Sequence, residues 1–304
     1  MTGFQLGINT CFAVKRWPRP ADWAAVVRDE LGLDLVQHCL DLADLDTDAD
    51  MHDQAGQVRA ACAAAGLTLH STFTGLAAYS ENLLLHPDPQ RRERALAWYR
   101  RAIDFTAAAG GRSAGGHVGA YSVADWRDQG RRDELWRGLI AALDLLAAHA
   151  WDAGLTSLMV ENLAAAREPS SMAGIASLLT QGDDRRVPIA VCLDVGHQCV
   201  PGSAGDEADP YAWLERFGAQ APVVQLQQSD AVADHHWPFT AQANRAGRIE
   251  AGRVLSAIEA SGAASTALIL EVIHPFEADD DQVIDDLRAS VEYWRAALAA
   301  GDGG

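Results

Sequence analysis

Ile189-Ala-Val-Cys-Leu-Asp194-Val-Gly-His197 sets five apolar residues against an acid, then turns at a glycine. A run this short and this rich in Val, Ile and Leu reads as a strand buried on both faces, where a carboxylate is costly unless something compensates its charge. Three other runs end the same way, on a polar residue able to bind a metal: Leu158-Met-Val-Glu161, Val223-Val-Gln-Leu-Gln227 and Leu268-Ile-Leu-Glu271. Spaced about one βα unit apart, the four endings read as a ring of ligands around a divalent cation.

Outward from these runs, strand-like and helix-like segments alternate through the whole chain. The predicted strands are Gln5–Asn9, Leu35–Leu40, Leu67–Thr72, Ser113–Val118, Leu158–Glu161, Ile189–Asp194, Val223–Gln227 and Leu268–Ile273. Between them lie segments with apolar residues at helical spacing, such as Met51–Ala65, Pro89–Ala109 and Arg132–Ala153. Glycines close many of these helices (Gly32, Gly66, Gly110, Gly154, Gly218, Gly262), as expected of left-handed stops. Eight strands alternating with eight helices, with no linker and no shift of composition, predict an α/β chain forming a single (β/α)8 TIM barrel over residues 1–304, with a frayed tail at 300–304. A doubly wound open sheet is the weaker alternative, because no Gly-rich phosphate loop follows the first strand. The longest connections, Thr74–Pro89 and Ser229–Gly247, follow strand C-termini, which in a barrel form the catalytic face.

The chain has 304 residues, is 49% hydrophobic and carries a formal net charge of −18, which opposes any general role on nucleic acid. No stretch approaches the roughly 20 apolar residues of a membrane span. No secretory signal is visible at the N-terminus, so the cytoplasm is the expected compartment. Five cysteines without a CxxC pair argue for free buried thiols rather than disulfides or structural zinc. Lys15 is the only lysine, which confines lysine-based covalent chemistry to that position.

In a barrel, Glu161, Asp194, Gln227 and Glu271 would converge from four neighbouring strands. Three carboxylates and an amide oxygen make a hard donor set that suits Mg²⁺ or Mn²⁺ better than Zn²⁺. For any one of these residues a helix N-cap is the competing role; for four close together the cation is favoured, since like charges would otherwise repel or shift their pKa values. Asp194-Val-Gly-His197 and Glu271-Val-Ile-His274 each place a histidine three residues after the acid. Such a histidine can ligate, brace a ligand or touch substrate.

These residues resemble the xylose-isomerase-like barrels, and within them the sugar isomerase and epimerase branch typified by tagatose and allulose 3-epimerases. The resemblance covers most of the chain and is clearest at Val160-Glu161-Asn162, Leu193-Asp194-Val195-Gly196-His197, Gly247-Arg248-Ile249 and Glu271. It implies one divalent ion, Mn²⁺, Mg²⁺ or Co²⁺. It also implies that Glu161 and Glu271 form the acid/base pair, that Asp194 is a pure ligand and that His197 contacts substrate oxygen. Homo-oligomers, dimers or tetramers, are implied by analogy alone. The departure is at strand 7, where Gln227 stands in place of a histidine ligand.

Further candidate substrate contacts are His70 and His117 near the ends of strands 3 and 4, Lys15 in the loop after strand 1, and Arg248. His236 and Trp237 in Asp234-His-His-Trp-Pro-Phe239 join them, with His235 and His236 able to reach back over the pocket. If Lys15 and Arg16 face the mouth, the substrate is a sugar phosphate rather than a free sugar. The expected chemistry is glutamate-mediated proton transfer through an enediolate, giving 3-epimerisation or aldose–ketose isomerisation. The competing reading is a lyase on the same scaffold, either inosose dehydratase-like or eliminating from a 3-keto-C-glycoside. An apurinic endonuclease would need more histidines at the strand ends. A metal-free sugar-binding barrel is the non-enzymatic alternative.

Overall fold

All eight strand segments form, and they pair in parallel as one closed barrel in the order of the chain. The structure, a computed structural model, describes residues 2–180 and 187–301. The strands are β1 (Gly3–Asn9), β2 (Leu35–Cys39), β3 (Thr68–Phe73), β4 (Ser113–Gly116), β5 (Ser157–Glu161), β6 (Ile189–Asp194), β7 (Val223–Leu226) and β8 (Ser265–Leu270). β1 pairs with β8, Gly3 opposite Ser265 through Ile8 opposite Leu270, and so closes the ring.

Several predicted ends move by a few residues, in directions that matter for the site. β4 stops at Gly116, whose φ of 133° only glycine adopts readily, so His117 and Val118 leave the strand. β7 and β8 stop one residue short of Gln227 and Glu271. Five of the six helix-closing glycines take positive φ; Gly218 instead has φ −55° and continues into a 3₁₀ turn. Ala300 and Gly301, expected in a frayed tail, extend the last helix, Asp280–Gly301, while 302–304 lie outside the described residues.

The long helices cover the barrel through an apolar face. Pro89–Ala109 shows how the sequence specifies this. Asp88 caps its first turn with Pro89 at the first position, and Ala95, Tyr99, Ala102, Ile103, Phe105 and Thr106 are buried at helical spacing. Among the described residues no helix is long and apolar enough to cross a membrane.

Inside the barrel, Leu35, Phe73, Met159, Ala190, Cys192, Val223, Ala267 and Ile269 form a separate apolar cluster. A buried polar network also bridges several strands: Asn9, Gln37, Ser71 and Gln225 are hydrogen-bonded to one another or to Glu271. All five cysteines are free; Cys11 is half-buried and the others are buried.

Candidate active site

The strand ends bring three carboxylates into one buried space. Glu161 ends β5, Asp194 ends β6, and Glu271 follows β8. One oxygen from each lies within 4.8 Å of the other two, and all three residues are buried. A second group, Asp194, His197 and His236, shares Asp194 and meets the same criterion.

Local hydrogen bonds fix how each acid is presented. Asn162 pairs with the backbone of Asp194, donating to its carbonyl at 3.0 Å and accepting from its N–H at 2.8 Å, which ties the ends of β5 and β6 together. Asp194 Oδ1 accepts from the Gly196 N–H and from Gln227 Nε2, while Oδ2 has no hydrogen-bond partner. Tyr79 donates its hydroxyl to Glu161 Oε2 at 2.7 Å and leaves Oε1 unpartnered. Asn9 and Gln225 both donate to Glu271 Oε1 at 2.8 Å. His197 Nδ1 bonds the Asn162 carbonyl, which turns Nε2 inward, 3.2 Å from Asp234 Oδ2.

The protonation pattern follows from burial and crowding. Burial, with Asp194 adding to it, lifts Glu161 from 4.5 to about 7, against the pull of His197 and the Tyr79 hydroxyl. Burial lifts Glu271 well above the usual carboxylate range too, helped by Glu161 and Asp194. Burial alone would depress the two histidines. Asp194 and Asp234 outweigh it at His197, which rises well above its ordinary value, and Asp234 lifts His236 to about 9. Protons thus balance the crowded acids, and a divalent cation could replace them. The unpartnered lone pairs of Glu161 Oε1 and Asp194 Oδ2, both buried, fit such an ion, with His197 Nε2 beside them on Asp234.

The remaining sequence candidates are placed unevenly. Gln227 lies in the ring, but its oxygen does not face the acids: it accepts the His236 N–H at 2.6 Å, and the amide nitrogen points at Asp194 and Asp234. His236 reaches the site from the loop after β7, as the sequence allows. His117 is fully buried just past β4, with Nε2 3.3 Å from Glu168 and its ring edge-on to Tyr79. His70 lies three residues before the end of β3 and bonds only its neighbour Ser71 Oγ, below the mouth rather than in it. Trp237 stacks on His235 at 3.8 Å between ring centroids, and that pairing occupies its face. Arg248 spends its guanidinium on the carbonyls of Ala208 and Gln198, so it braces the loop after β6. Lys15 is exposed with Nζ 3.9 Å from the Phe276 ring centroid, and Arg16 is tied to Asp280 and the Pro275 and Ala278 carbonyls. His274 is paired with Asp286.

Beside Glu271 and His236 a pocket opens to the surface, lined by Phe12, Leu76, Tyr79, Ile273 and Phe276, with Asp41, Thr74 and Arg16 among its polar members. Tyr79, Asp234, Asn9, Gln37 and Gln225 were not singled out from the sequence. The available signal was Gln225, polar inside the otherwise apolar β7, and Gln37 beside His38 in β2. Nothing distinguished Tyr79 from other loop aromatics.

A family model described as the xylose isomerase-like TIM barrel matches residues 24–297. The chain belongs to that family. A Rhodospirillum rubrum crystal structure, provisionally assigned as a xylose isomerase, is 36% identical, with a TM-score of 0.89 over 97% of this chain and 99% of that one. The D-erythrulose 1-phosphate 3-epimerase of Brucella abortus is 29% identical over 222 residues, 71% of each chain. D-psicose 3-epimerase of Clostridium cellulolyticum, solved with D-tagatose, shares the fold at 17% identity, with a TM-score of 0.72 over 97% of this chain and 99% of that one. As a member of this family the chain is an enzyme. The relatives are, by name, sugar isomerases and epimerases.

Proposed function

We propose that this protein is a divalent-metal-dependent epimerase or isomerase of a ketose or ketose phosphate, with Glu161 and Glu271 exchanging protons with substrate carbon. The observation that carries the reading is the matched presentation of the two buried glutamates. Each has one oxygen held by O–H or N–H donors, Oε2 of Glu161 by Tyr79 and Oε1 of Glu271 by Asn9 and Gln225. Each is left with its other oxygen free of such donors, open to the cation and to the reacting carbon. Burial tunes Glu161 to about 7, near the working pH that general acid/base chemistry favours.

Glu161, Asp194 and Glu271 would hold the cation, together with a nitrogen from the histidine group that shares Asp194; this mixed oxygen and nitrogen set suits Mn²⁺, and Mg²⁺ or Co²⁺ also match. When bound, the ion supplies positive charge where the substrate carbonyl becomes anionic, and so acidifies the neighbouring C–H. Removal of a proton by one glutamate and delivery of a proton to the opposite face by the other, which starts protonated, gives the epimer. Return to the adjacent carbon gives the isomer. The apolar pocket walls limit direct protonation of the carbanionic stage by water, so that protons reach it through the glutamates, which exchange with solvent between turnovers. The Brucella relative supports a phosphorylated ketose, and Lys15, exposed near the pocket rim on Phe276, is the cation that would meet its phosphate.

The test is a screen of ketoses and ketose phosphates with Mn²⁺ in deuterated water. Deuterium at C3 with appearance of the epimer supports epimerisation; deuterium at C1 or C2 supports isomerisation. A dehydrated or deglycosylated product would move the reaction to elimination on the same scaffold. No exchange with any candidate, and Glu161→Gln and Glu271→Gln variants indistinguishable from wild type, would refute the proposal.

A further inference from the structure

The amide of Gln227 is oriented by a partner that can only donate. The backbone N–H of His236 lies 2.6 Å from Oε1, so the oxygen must face it. Nε2 then points at Asp194 Oδ1 (3.0 Å) and Asp234 Oδ1 (2.7 Å). An amide N–H has no lone pair to offer a cation. For Gln227 to ligate through oxygen, its NH₂ would have to face the His236 N–H, leaving two donors against each other in a buried site with neither hydrogen bond made.

The imidazole of His236 is turned the opposite way. Nδ1 lies 3.1 Å from the Glu271 carbonyl, which only accepts, so Nδ1 keeps its hydrogen, and Nε2, 3.2 Å from Asp234 Oδ2, is the nitrogen left to offer a lone pair when a cation displaces its proton. A ring nitrogen braced on a backbone carbonyl is the usual support of a metal-binding histidine. His236 is grouped with Asp194 and His197 within ligating reach, and Asp194 also belongs to the carboxylate group.

The backbone has been shaped to bring the ring there. Gln228 and Trp237 bond each other in both directions, at 2.8 and 3.0 Å, and close the loop back on the end of β7. His236 therefore sits beside Gln227 although nine residues separate them in sequence. It takes a φ of +50°, which is unfavourable for a residue with a Cβ and persists where surrounding contacts impose it. Those contacts are the Gln227 oxygen on its N–H and the Ile273 N–H on its carbonyl. Gly196 completes the lock, since a Cβ there would lie 2.3 Å from the Gln227 amide carbon.

We infer that His236 supplies a nitrogen ligand of the cation, in the place Gln227 would hold at the end of β7, and that Gln227 is a positioning residue that holds His236 there. The inference rests on the metal-dependent reading above.

Binding of Mn²⁺ to chelator-stripped protein, followed by the electron paramagnetic resonance of the free ion and by ¹⁴N coupling to the bound one, separates the two. Wild type is expected to bind one ion with imidazole nitrogen coupling. His236→Ala, and His236→Gln where the alanine variant melts early, should bind at least tenfold more weakly and lose coupling assigned by comparison with His197→Ala. Gln227→Leu should weaken binding while keeping that coupling. Wild-type affinity and coupling in both His236 variants would overturn the inference, as would loss of binding in Gln227→Leu alone. A bound ion with no ¹⁴N coupling in wild type would also overturn it, and each of these outcomes leaves the metal reading standing. Failure of wild type to bind, or equal binding by Asp194→Asn, would instead remove the metal reading itself.

Discussion

Replacing Glu161 by glutamine should make the metal-free protein more stable at alkaline pH while destroying its activity. Glu161 is fully buried, and burial with the neighbouring Asp194 lifts it from 4.5 to about 7. An acid raised on folding is protonated in the native state while the unfolded chain has already ionised, so stability falls as pH climbs from 4.5 and levels off above 7. At about 1.4 kcal/mol per pH unit, that rise amounts to about 3 kcal/mol of stability forfeited by the wild type at pH 8.5. Glutamine has nearly the same shape, can still accept from the Tyr79 hydroxyl and never ionises. Urea unfolding of chelator-treated wild type and Glu161→Gln should therefore coincide near pH 4.5 and diverge to about 3 kcal/mol in favour of the variant at pH 8.5. Parallel curves at every pH, or a variant less stable at pH 8.5, would refute the claim that this carboxylate is held against its own charge.

The same electrostatics make other perturbations directional. Tyr79→Phe removes a hydroxyl donor that lowers the pKa of Glu161, so the acidic limb of the rate profile should move to higher pH and kcat should fall roughly tenfold, as measured across pH 5–9. Chelation should abolish deuterium exchange, and Mn²⁺ at a hundred times its Kd should add about 3 kcal/mol to unfolding stability at pH 8; denaturation curves with and without ion check this. Gly115→Ala should lower stability by about 1–3 kcal/mol, read from the melting temperature, because a Cβ there would sit 2.5 Å from the Met159 carbonyl oxygen on β5.

How far the sequence could be read depended on whether a signal was local. The barrel was legible because each strand carries its own signature, an apolar run followed by a helix with its own caps. Glu161, Asp194 and Glu271 could be found because an acid at the end of an apolar run is anomalous by itself. The support of those acids was less legible. Gln37 and Gln225 meet across the barrel from β2 and β7, and their joint action on Glu271 depends on the closed topology. Tyr79 reaches Glu161 from a loop eighty-two residues earlier, and no periodicity encodes that contact. His70 shows the converse error. It sits near the end of an apolar run, yet β3 continues three residues past it to Phe73 and its register slips between Leu69 and Ser71, so the ring meets Ser71 below the mouth.

Gln227 shows why residue type and function separate in this site. At the end of an apolar run it has the same pattern as the three acids, and its carbonyl oxygen is a reasonable ligand in isolation. What decides its chemistry is the single backbone N–H of His236, delivered by a loop whose path depends on the bridge between Gln228 and Trp237. That N–H takes the oxygen and turns the amide nitrogen toward the acids. Two carboxylates then receive a donor from Gln227, and the lone pair facing the site comes from His236. A histidine on the strand and a glutamine on the strand with a histidine folded over it are two ways to bring an imidazole to the same place. The second makes ligand placement depend on a loop. A change in that loop that broke the Gln228–Trp237 bridge should therefore weaken metal binding without altering any of the three carboxylates.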